Sequence, residues 1–359
     1  VSKVPMVNFA VIDLSNLYQR ARHAAHADPE TKVGMAMMIV FRSLRKLHRE
    51  AKIDHFVFAI DHGSWRYQYY PAYKSRRKLS RLSATPAEQR ENELFNQSLQ
   101  KLIIYLTEQT RCTVLEADDL EADDFIARWI SRHSNDQHII VSCDSDFVQL
   151  LSPDVRIYDA INQRMIAIDR ITDEQGRSLA FSVNPKDGKI KVGGIAKADF
   201  TPEDEWWKKA LFIKLLRGDV GDSVFSAYPG VRYEGKKISI RAAWADRRDQ
   251  GYDWNNLMFQ TWSKLLGTNE AGEPISQIVR VIDEFKINQM MIDLTKQPDN
   301  IIAKMDATID AAMLRPAAQS VGIGFLRLCK AHDQPTLLKE ANDHVSYLNA
   351  SYPKVHVHV

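Results

Sequence analysis

The chain is 359 residues long, 45% hydrophobic and 26% charged, enough for a sizeable core and for two domains. No apolar run is long enough to span a bilayer. Val1 to Phe9 lacks the charged and apolar regions of a signal peptide, so a cytoplasmic protein with no membrane partner is expected. Cys112, Cys143 and Cys329 lie far apart, which excludes a disulfide framework and a thiolate zinc site. The 48 basic and 46 acidic side chains nearly cancel, but they are segregated, acids behind apolar runs and bases in one long stretch.

The first half alternates short apolar runs with helical patterns. Phe9 to Ile12, Phe56 to Ile60, Cys112 to Leu115 and His138 to Ser142 have the β-branched and aromatic character of strands buried on both faces. Helices are expected over Gly34 to Lys52, Asn92 to Glu108 and Asp123 to Arg132, and a fifth strand over Val155 to Tyr158. This alternation predicts an α/β fold with a parallel sheet and helices on both faces. The pattern weakens from Met165 to Asp199, where Asn184 to Gly188 signals a turn and a hairpin or loop is expected. Thr201-Pro202 then has the form of a helix start, an N-cap followed by Pro at the first helical position. Beyond it the chain reads as mostly helical, with periodic apolar residues in Leu257 to Leu266, Ile275 to Phe285, Ile301 to Leu314 and Gly322 to Leu328. A domain boundary is placed near residue 200.

Each of four strands is followed at once by carboxylates: Asp13; Asp61; Glu116 to Asp124; and Asp144 with Asp146. Parallel strands point one way, so these groups gather along one edge, outside the carboxyl ends where such sheets bind ligands. Carboxylates crowded together stay ionised only if cations neutralise them, and oxygen ligands without His or Cys select Mg²⁺ or Mn²⁺. Two such ions can serve phosphodiester hydrolysis. A lone acid at a strand end is ordinarily a turn or cap residue; four strand ends in succession favour a metal site. The sequence Glu-Ala-Asp-Asp occurs twice, ending at Asp119 and at Asp124. The second copy leads straight into an amphipathic helix, so Glu121, Asp123 and Asp124 are preferred over Glu116, Asp118 and Asp119. Asp219 and Asp222, spaced i and i+3 behind Gly218 and beside Gly221, are a further candidate contribution.

No acid lies between Asp61 and Glu88. That interval carries Arg66, Lys74, Arg76, Arg77, Lys78 and Arg81 among Trp65, Tyr67, Tyr69, Tyr70 and Tyr73. Bases neutralise phosphates and aromatic rings stack on unpaired bases, so residues 62–92 are read as a clamp or arch for nucleic acid rather than a solvated basic helix.

Together these residues resemble the flap endonuclease and 5′-nuclease family. The resemblance is carried by Val11-Ile-Asp13-Leu-Ser-Asn16, Ala59-Ile-Asp61, Tyr73-Lys74-Ser-Arg-Arg77, Glu121-Ala-Asp123-Asp124, Ser142-Cys-Asp144-Ser-Asp146 and Gly218-Asp219-Val-Gly-Asp222, over roughly residues 8 to 235. Within the family the chain is most similar to the bacteriophage RNase H type. That narrower likeness rests on Trp65-Arg66 ahead of Tyr73-Lys74, and on Met291-Ile-Asp-Leu294 followed by Gln297-Pro-Asp-Asn300.

The resemblance implies a PIN-like nuclease domain over 1–200 and a helical domain over 201–359. The latter would hold a helix-three-turn-helix, duplex-binding region near 211–245. It implies two Mg²⁺ ions, replaceable by Mn²⁺, and 5′-to-3′ hydrolysis of duplex DNA, flaps and RNA–DNA hybrids in removing RNA primers during replication. Its metal ligands map onto Asp13, Asp61, Glu121, Asp123, Asp124, Asp144, Asp146, Asp219 and Asp222. Catalytic roles fall to Lys74, Arg77 and Asp144, and substrate contacts to Asn16, Arg66, Tyr73 and Arg76. One departure is the segment Tyr228 to Lys237, which keeps Gly230-Val231 but lacks the second glycine pair of the family hairpin that holds phosphate and potassium. The monovalent-ion site is thereby put in question, while Lys236 and Lys237 keep phosphate contact open. A monomer is expected, with a single-stranded DNA-binding protein or sliding clamp as candidate partners. Two rival readings, a phosphatase built on Asp144-Ser-Asp146 and an inactive nucleic-acid-binding module, leave the basic stretch or the full set of carboxylates unexplained.

Overall fold

The computed structural model describes residues 6–25, 27–235, 238–250, 256–269 and 272–353. Its backbone contacts group into two compact units. The first comprises Val1–Trp65, Ser83–Ser178 and Asp299–Val359; the second comprises Arg66–Leu82 and Leu179–Pro298. The chain thus passes between units more often than a single divide near residue 200 provides for.

In the first unit, strands β1 (Asn8–Asp13), β2 (His55–Ala59), β3 (Thr113–Leu115), β4 (Gln137–Val141) and β5 (Val155–Asp159) lie in the order β3-β2-β1-β4-β5, all parallel. The near-continuous apolar runs are explained by burial on both faces: Phe9 to Ile12 and Phe56 to Ala59 are without solvent contact. The order reverses between β1 and β4. Two short strands, β6 (Arg164–Ile166) and β7 (Ile171–Thr172), continue the sheet antiparallel beside β5.

Helix Pro29–Ala51 begins on an Asp28 cap with Pro in its first turn and buries Met37, Val40, Phe41, Leu44 and Leu47. The last helices of the chain return to this layer. Phe325 meets Phe41 edge-on at 5.4 Å between ring centroids, and Tyr347 lies 4.9 Å from Phe56. On the other face, helix Ala122–Arg132 buries Phe125, Ile126 and Trp129, and Asp299–Met313 joins it through the Arg128–Asp306 pair at 2.5 Å.

The second unit holds the antiparallel pair β8 (Ser178–Val183) and β9 (Ile190–Ile195). Their connection includes the expected turn at Asn184 to Gly188. Gly188 has φ +74°, and a Cβ there would sit 2.3 Å from the Ala210 carbonyl oxygen, so only glycine fits. Two helical expectations are corrected in this unit. The helix expected at Thr201-Pro202 starts later, as Trp206–Arg217, because Phe181, Phe200 and Trp206 cluster there and fix the entry. Leu257 to Leu266 and Ile275 to Phe285 are not two helices. Thr261–Thr268 and Pro274–Arg280 form a hairpin, β10 and β11, and only Val281–Ile292 is helical. Thr261, Thr268, Ile275, Ile278 and Val279 are β-branched, and Gly267 and Gly272 take positive φ at the bulge and the turn. Helices Trp206–Arg217 and Ile240–Gln250 bracket the region expected to bind duplex. Lys236 and Lys237 lie outside the described residues. Among the described residues no helix is long and apolar enough to cross a membrane.

At the amino ends of β1, β2 and β4, buried His55 and His138 pack around Phe9, with His138 stacked on its ring at 5.6 Å. Burial, then His133, push His138 down to about 3. The unfolded chain, with His near 6.5, therefore binds the proton first as pH falls. The stability from neutral His138 is intact above pH 6.5 and is lost as pH drops toward 3. His138→Phe should lose about 2 kcal/mol less stability than the parent between pH 7 and 5 in urea melts; equal acid loss in both proteins would contradict the buried neutral imidazole.

Candidate metal centre

The reversal of strand order between β1 and β4 opens the crevice where doubly wound sheets place ligands. Two acids flank it. Asp13 ends β1 and caps helix Leu14–Ala24, accepting from Asn16 N at 3.0 Å; Asp144 follows β4 and caps a short 3₁₀ turn, accepting from Asp146 N at 2.9 Å. The two strand ends are tied by hydrogen bonds. Ser142 Oγ donates to Asp13 Oδ2 at 3.2 Å, and Cys143 N donates to Asn16 Oδ1 at 3.3 Å. Asn16, expected to touch substrate, is thus engaged in holding the crevice in shape.

The third strand end supplies the helix whose N-terminus carries Glu121 and Asp123. Asp61 Oδ1 accepts from Ala122 N at 2.9 Å, which anchors that N-terminus beside β2. The two copies of Glu-Ala-Asp-Asp have different surroundings. Glu121 is buried and accepts from Ser64 Oγ at 3.0 Å. Asp118 is 84% exposed, and it and Glu116 flank His62 at 3.6 and 3.4 Å. Asp124 turns inward: it is wholly buried, accepts from Trp65 Nε1 at 3.1 Å, and closes a capping box on Glu121 N at 3.2 Å. Its carboxylate sets the helix start that presents Glu121 and Asp123.

Burial raises Asp13 well above the ordinary carboxylate range, and Asp61 and Asp144 add to the rise. Asp123 is raised in the same way, by burial and then by Asp13, Asp144, Asp61 and Glu121. These five groups therefore feel one another across the crevice. Among the described residues no three His, Cys, Asp or Glu side chains converge into a ready-made cage for an ion. The two findings concern different distances: ligation needs oxygens within about 2 to 2.6 Å of one point, whereas repulsion reaches much further. Mg²⁺ keeps several waters and takes one or two carboxylates rather than a closed cage, so the donor set fits a hydrated hard cation.

In the second unit the basic segment and the Gly218–Asp222 motif meet each other. Gly218, at φ +74°, ends helix Trp206–Arg217, and a Cβ there would lie 2.4 Å from Val224 O. Asp219 Oδ1 accepts from Gly221 N at 2.7 Å and Asp222 N at 3.3 Å, and its Oδ2 pairs with Lys214 Nζ at 2.6 Å. Burial works to raise Asp219, but Lys214 and these amides hold it below its ordinary value. Asp222 accepts from Tyr73 Oη at 3.2 Å, pairs with Arg77 at 2.6 Å, and its carbonyl accepts from Lys74 N at 2.7 Å. Lys74 has φ +51°, a left-handed conformation that costs a non-glycine residue about 1 kcal/mol or more. Arg76 is exposed, its N–H donating to Ser223 Oγ at 3.3 Å.

Arg66 needs correction. It is 1% exposed, and its Nε donates to the Met291 carbonyl at 2.9 Å, so its guanidinium is a structural tie within the second unit rather than a group facing substrate. Sequence reasoning missed Ser64, Ser142 and Lys214. The available signal was a hydroxyl beside each carboxylate motif and a lysine inside the apolar run Trp206 to Leu216, which must find an anion when buried.

Comparison with known proteins matches residues 8–176 to the 5′-3′ exonuclease, N-terminal resolvase-like domain. The flap endonuclease Xni of Shewanella loihica is 30% identical over 199 residues, 53% of this chain and 72% of the relative. The Xni enzyme of Vibrio parahaemolyticus is 30% identical over 185 residues, 50% of this chain, and the match spans 64% of that relative's length. A bacteriophage T5 flap endonuclease solved with DNA and metal ions shares the fold, with TM-score 0.52 and 15% identity over 85% of this chain and 98% of that one.

A carboxylate raised on folding costs stability increasingly as pH climbs above its ordinary range. Asp123→Asn should therefore make the metal-free protein more stable, and by more at pH 7.5 than at pH 5. It should also shrink the gain in Tm on adding Mg²⁺ or Mn²⁺. Calorimetry decides, and a variant less stable than its parent at pH 7.5 would refute the repulsion.

Proposed function

The chain belongs to the 5′-3′ exonuclease family, and we propose that it is a structure-specific 5′-nuclease acting on flaps, duplex DNA ends and RNA–DNA hybrids, with RNA primer removal as its task. The observation that carries this is the group of mutually repelling carboxylates at the strand-order reversal: Asp13, Asp61, Glu121, Asp123 and Asp144. Two Mg²⁺ ions held by these groups with Asp146 would supply charge neutralisation and an activated water for phosphodiester hydrolysis, and the sequence motif adds Asp219 and Asp222 as candidate ligands.

The chain's own residues do the rest. Ser142 and Asn16 lock the ends of β1 and β4 in register, so Asp13 and Asp144 keep their positions when charged. Asp124 and Ser64 orient Glu121 and the helix start behind it. Lys74 and Arg77 engage the scissile phosphate, and Arg76 adds neutralising charge along the strand. Tyr73 braces Lys74, whose Nζ stands 5.0 Å from its ring centroid. Lys236 and Lys237 serve as duplex-phosphate contacts.

A 5′-labelled flap and an RNA–DNA hybrid test the proposal. Both should yield short 5′ products with Mg²⁺ and none with chelator, and binding should weaken steeply with salt. Asp144→Asn should slow single-turnover cleavage at least about 100-fold while changing substrate affinity by less than about threefold, because it removes charge from the metal site and no phosphate contact. Binding without cleavage by the parent protein would sink the nuclease reading.

A further inference from the structure

The fifth parallel strand also ends in a carboxylate. Asp159 closes β5 at the same sheet edge as Asp13, Asp61 and Asp144, and it is buried. The turn that follows fills it with donors. Its Oδ1 accepts from Ile161 N at 3.2 Å and Asn162 N at 3.0 Å, and its Oδ2 accepts from Asn162 Nδ2 at 2.6 Å. These bonds stabilise the carboxylate without a cation and fix its orientation.

One more bond reaches out of the turn. Cys143 Sγ donates to Asp159 Oδ1 at 3.1 Å, joining the loop after β4 to the end of β5. Strand register brings this about. Val141 lies opposite Ile12 on one side and Tyr158 on the other, so the residues that follow it emerge between the ends of β1 and β5. Cys143 is held from both sides. Its amide donates to Asn16 Oδ1 beside β1 at 3.3 Å, and its thiol to Asp159 beside β5. A thiol is a weak donor, but the acceptor it meets is itself fixed by three other bonds, which makes the contact a reference point for the loop.

The residue after Cys143 is Asp144. Asp144 N donates to Ser142 Oγ at 3.1 Å, and Asp144 Oδ1 accepts from Asp146 N at 2.9 Å, so a shift of Cys143 is passed on to both acids of that motif. We propose that Asp159 is a positioning residue that acts through Cys143 on Asp144, holding the loop after β4 so that the Asp144 carboxylate keeps its place when a divalent cation binds. This rests on the metal-dependent nuclease reading for the task of that cation, and it gives a role to two side chains that the nuclease motifs leave unused. Removing a group bonded directly to a metal ligand commonly costs about 10- to 100-fold in affinity, and a group one bond further out should cost less.

Mn²⁺ binding to the full chain, followed by electron paramagnetic resonance without nucleic acid, tests the role apart from catalysis. Asp159→Ala should weaken Mn²⁺ binding about three- to tenfold. That variant also strips the turn of its acceptor, so Cys143→Ala isolates the link, and it should weaken binding by a similar factor. Cys143→Ser restores a donor and should recover most of the loss. In an Asp159→Ala background, Cys143→Ala should change Mn²⁺ affinity no further. Parental Mn²⁺ affinity in Cys143→Ala overturns the proposal, as does a serine variant no better than alanine or a double variant whose losses add. A parent protein that binds Mn²⁺ with this pattern of variants but cuts neither flap nor hybrid defeats the nuclease reading and leaves the positioning role standing. Cleavage by the parent together with an inert Cys143→Ala does the reverse.

Discussion

Five carboxylates near one crevice repel one another, and the organisation of the first unit both creates and contains that repulsion. Parallel register brings the carboxyl ends of β1, β2, β3 and β4 to the same edge. The reversal of strand order then opens a crevice where a ligand can enter between diverging helices. Burial compounds the effect, because Asp13 is enclosed and Asp123 partly so, and thinning the water around them strengthens every neighbouring charge they feel. A fold built only for stability would replace such groups, since buried charges of like sign are among the least favourable contacts available. Their cost is tolerated because hydrogen bonds of the scaffold determine each position: Asn16 N and Ser142 Oγ on Asp13, Ala122 N on Asp61, Ser64 Oγ on Glu121.

The second unit handles its acids in the opposite way. Asp219 and Asp222 are each paired with one of the protein's own cations, Lys214 and Arg77, at 2.6 Å. Repulsion in the first unit favours an added cation directly, whereas in the second a cation must compete with one already present. The same residue type in one family motif set therefore represents two electrostatic situations, and treating all nine carboxylates as equivalent ligands would hide that difference. Asp124 is a third situation, a buried cap whose partners are Trp65 and the Glu121 amide.

Much of this was legible in the sequence because it depends on local pattern. The five parallel strands, the helix over Ala122–Arg132 and the gathering of acids at strand ends follow from apolar runs and from what comes directly after them. The failures share a cause, which is tertiary context overriding period. Leu265, Leu266, Ile275 and Ile278 recur at spacings that a helix also allows, and only the positive-φ glycines Gly267 and Gly272 mark a hairpin. Arg66 sits in a run of bases and aromatics that reads uniformly as nucleic-acid contact. Its burial depends on the Met291 carbonyl, 225 residues away, which no local signal announces. The pairing of Asp222 with Arg77 is likewise invisible to spacing, since the two are joined only when residues 66–82 pack in the second unit.

The two copies of Glu-Ala-Asp-Asp show how structure separates identical local chemistry. Four residues alone cannot distinguish them; what differs is the next element. The copy ending at Asp124 is followed by Phe125, Ile126 and Trp129, a face apolar enough to bury a helix against the sheet, and burial of that helix carries Glu121 and Asp124 inward with it. The copy ending at Asp119 is followed by Leu120 and then by the second copy, so it has no helix of its own. Its Asp119 takes φ +59° in a turn, and its acids face solvent and His62. Desolvation, the quantity that turns a carboxylate from a surface charge into a strongly perturbed group, is thus set by the hydrophobic residues downstream rather than by the acids themselves.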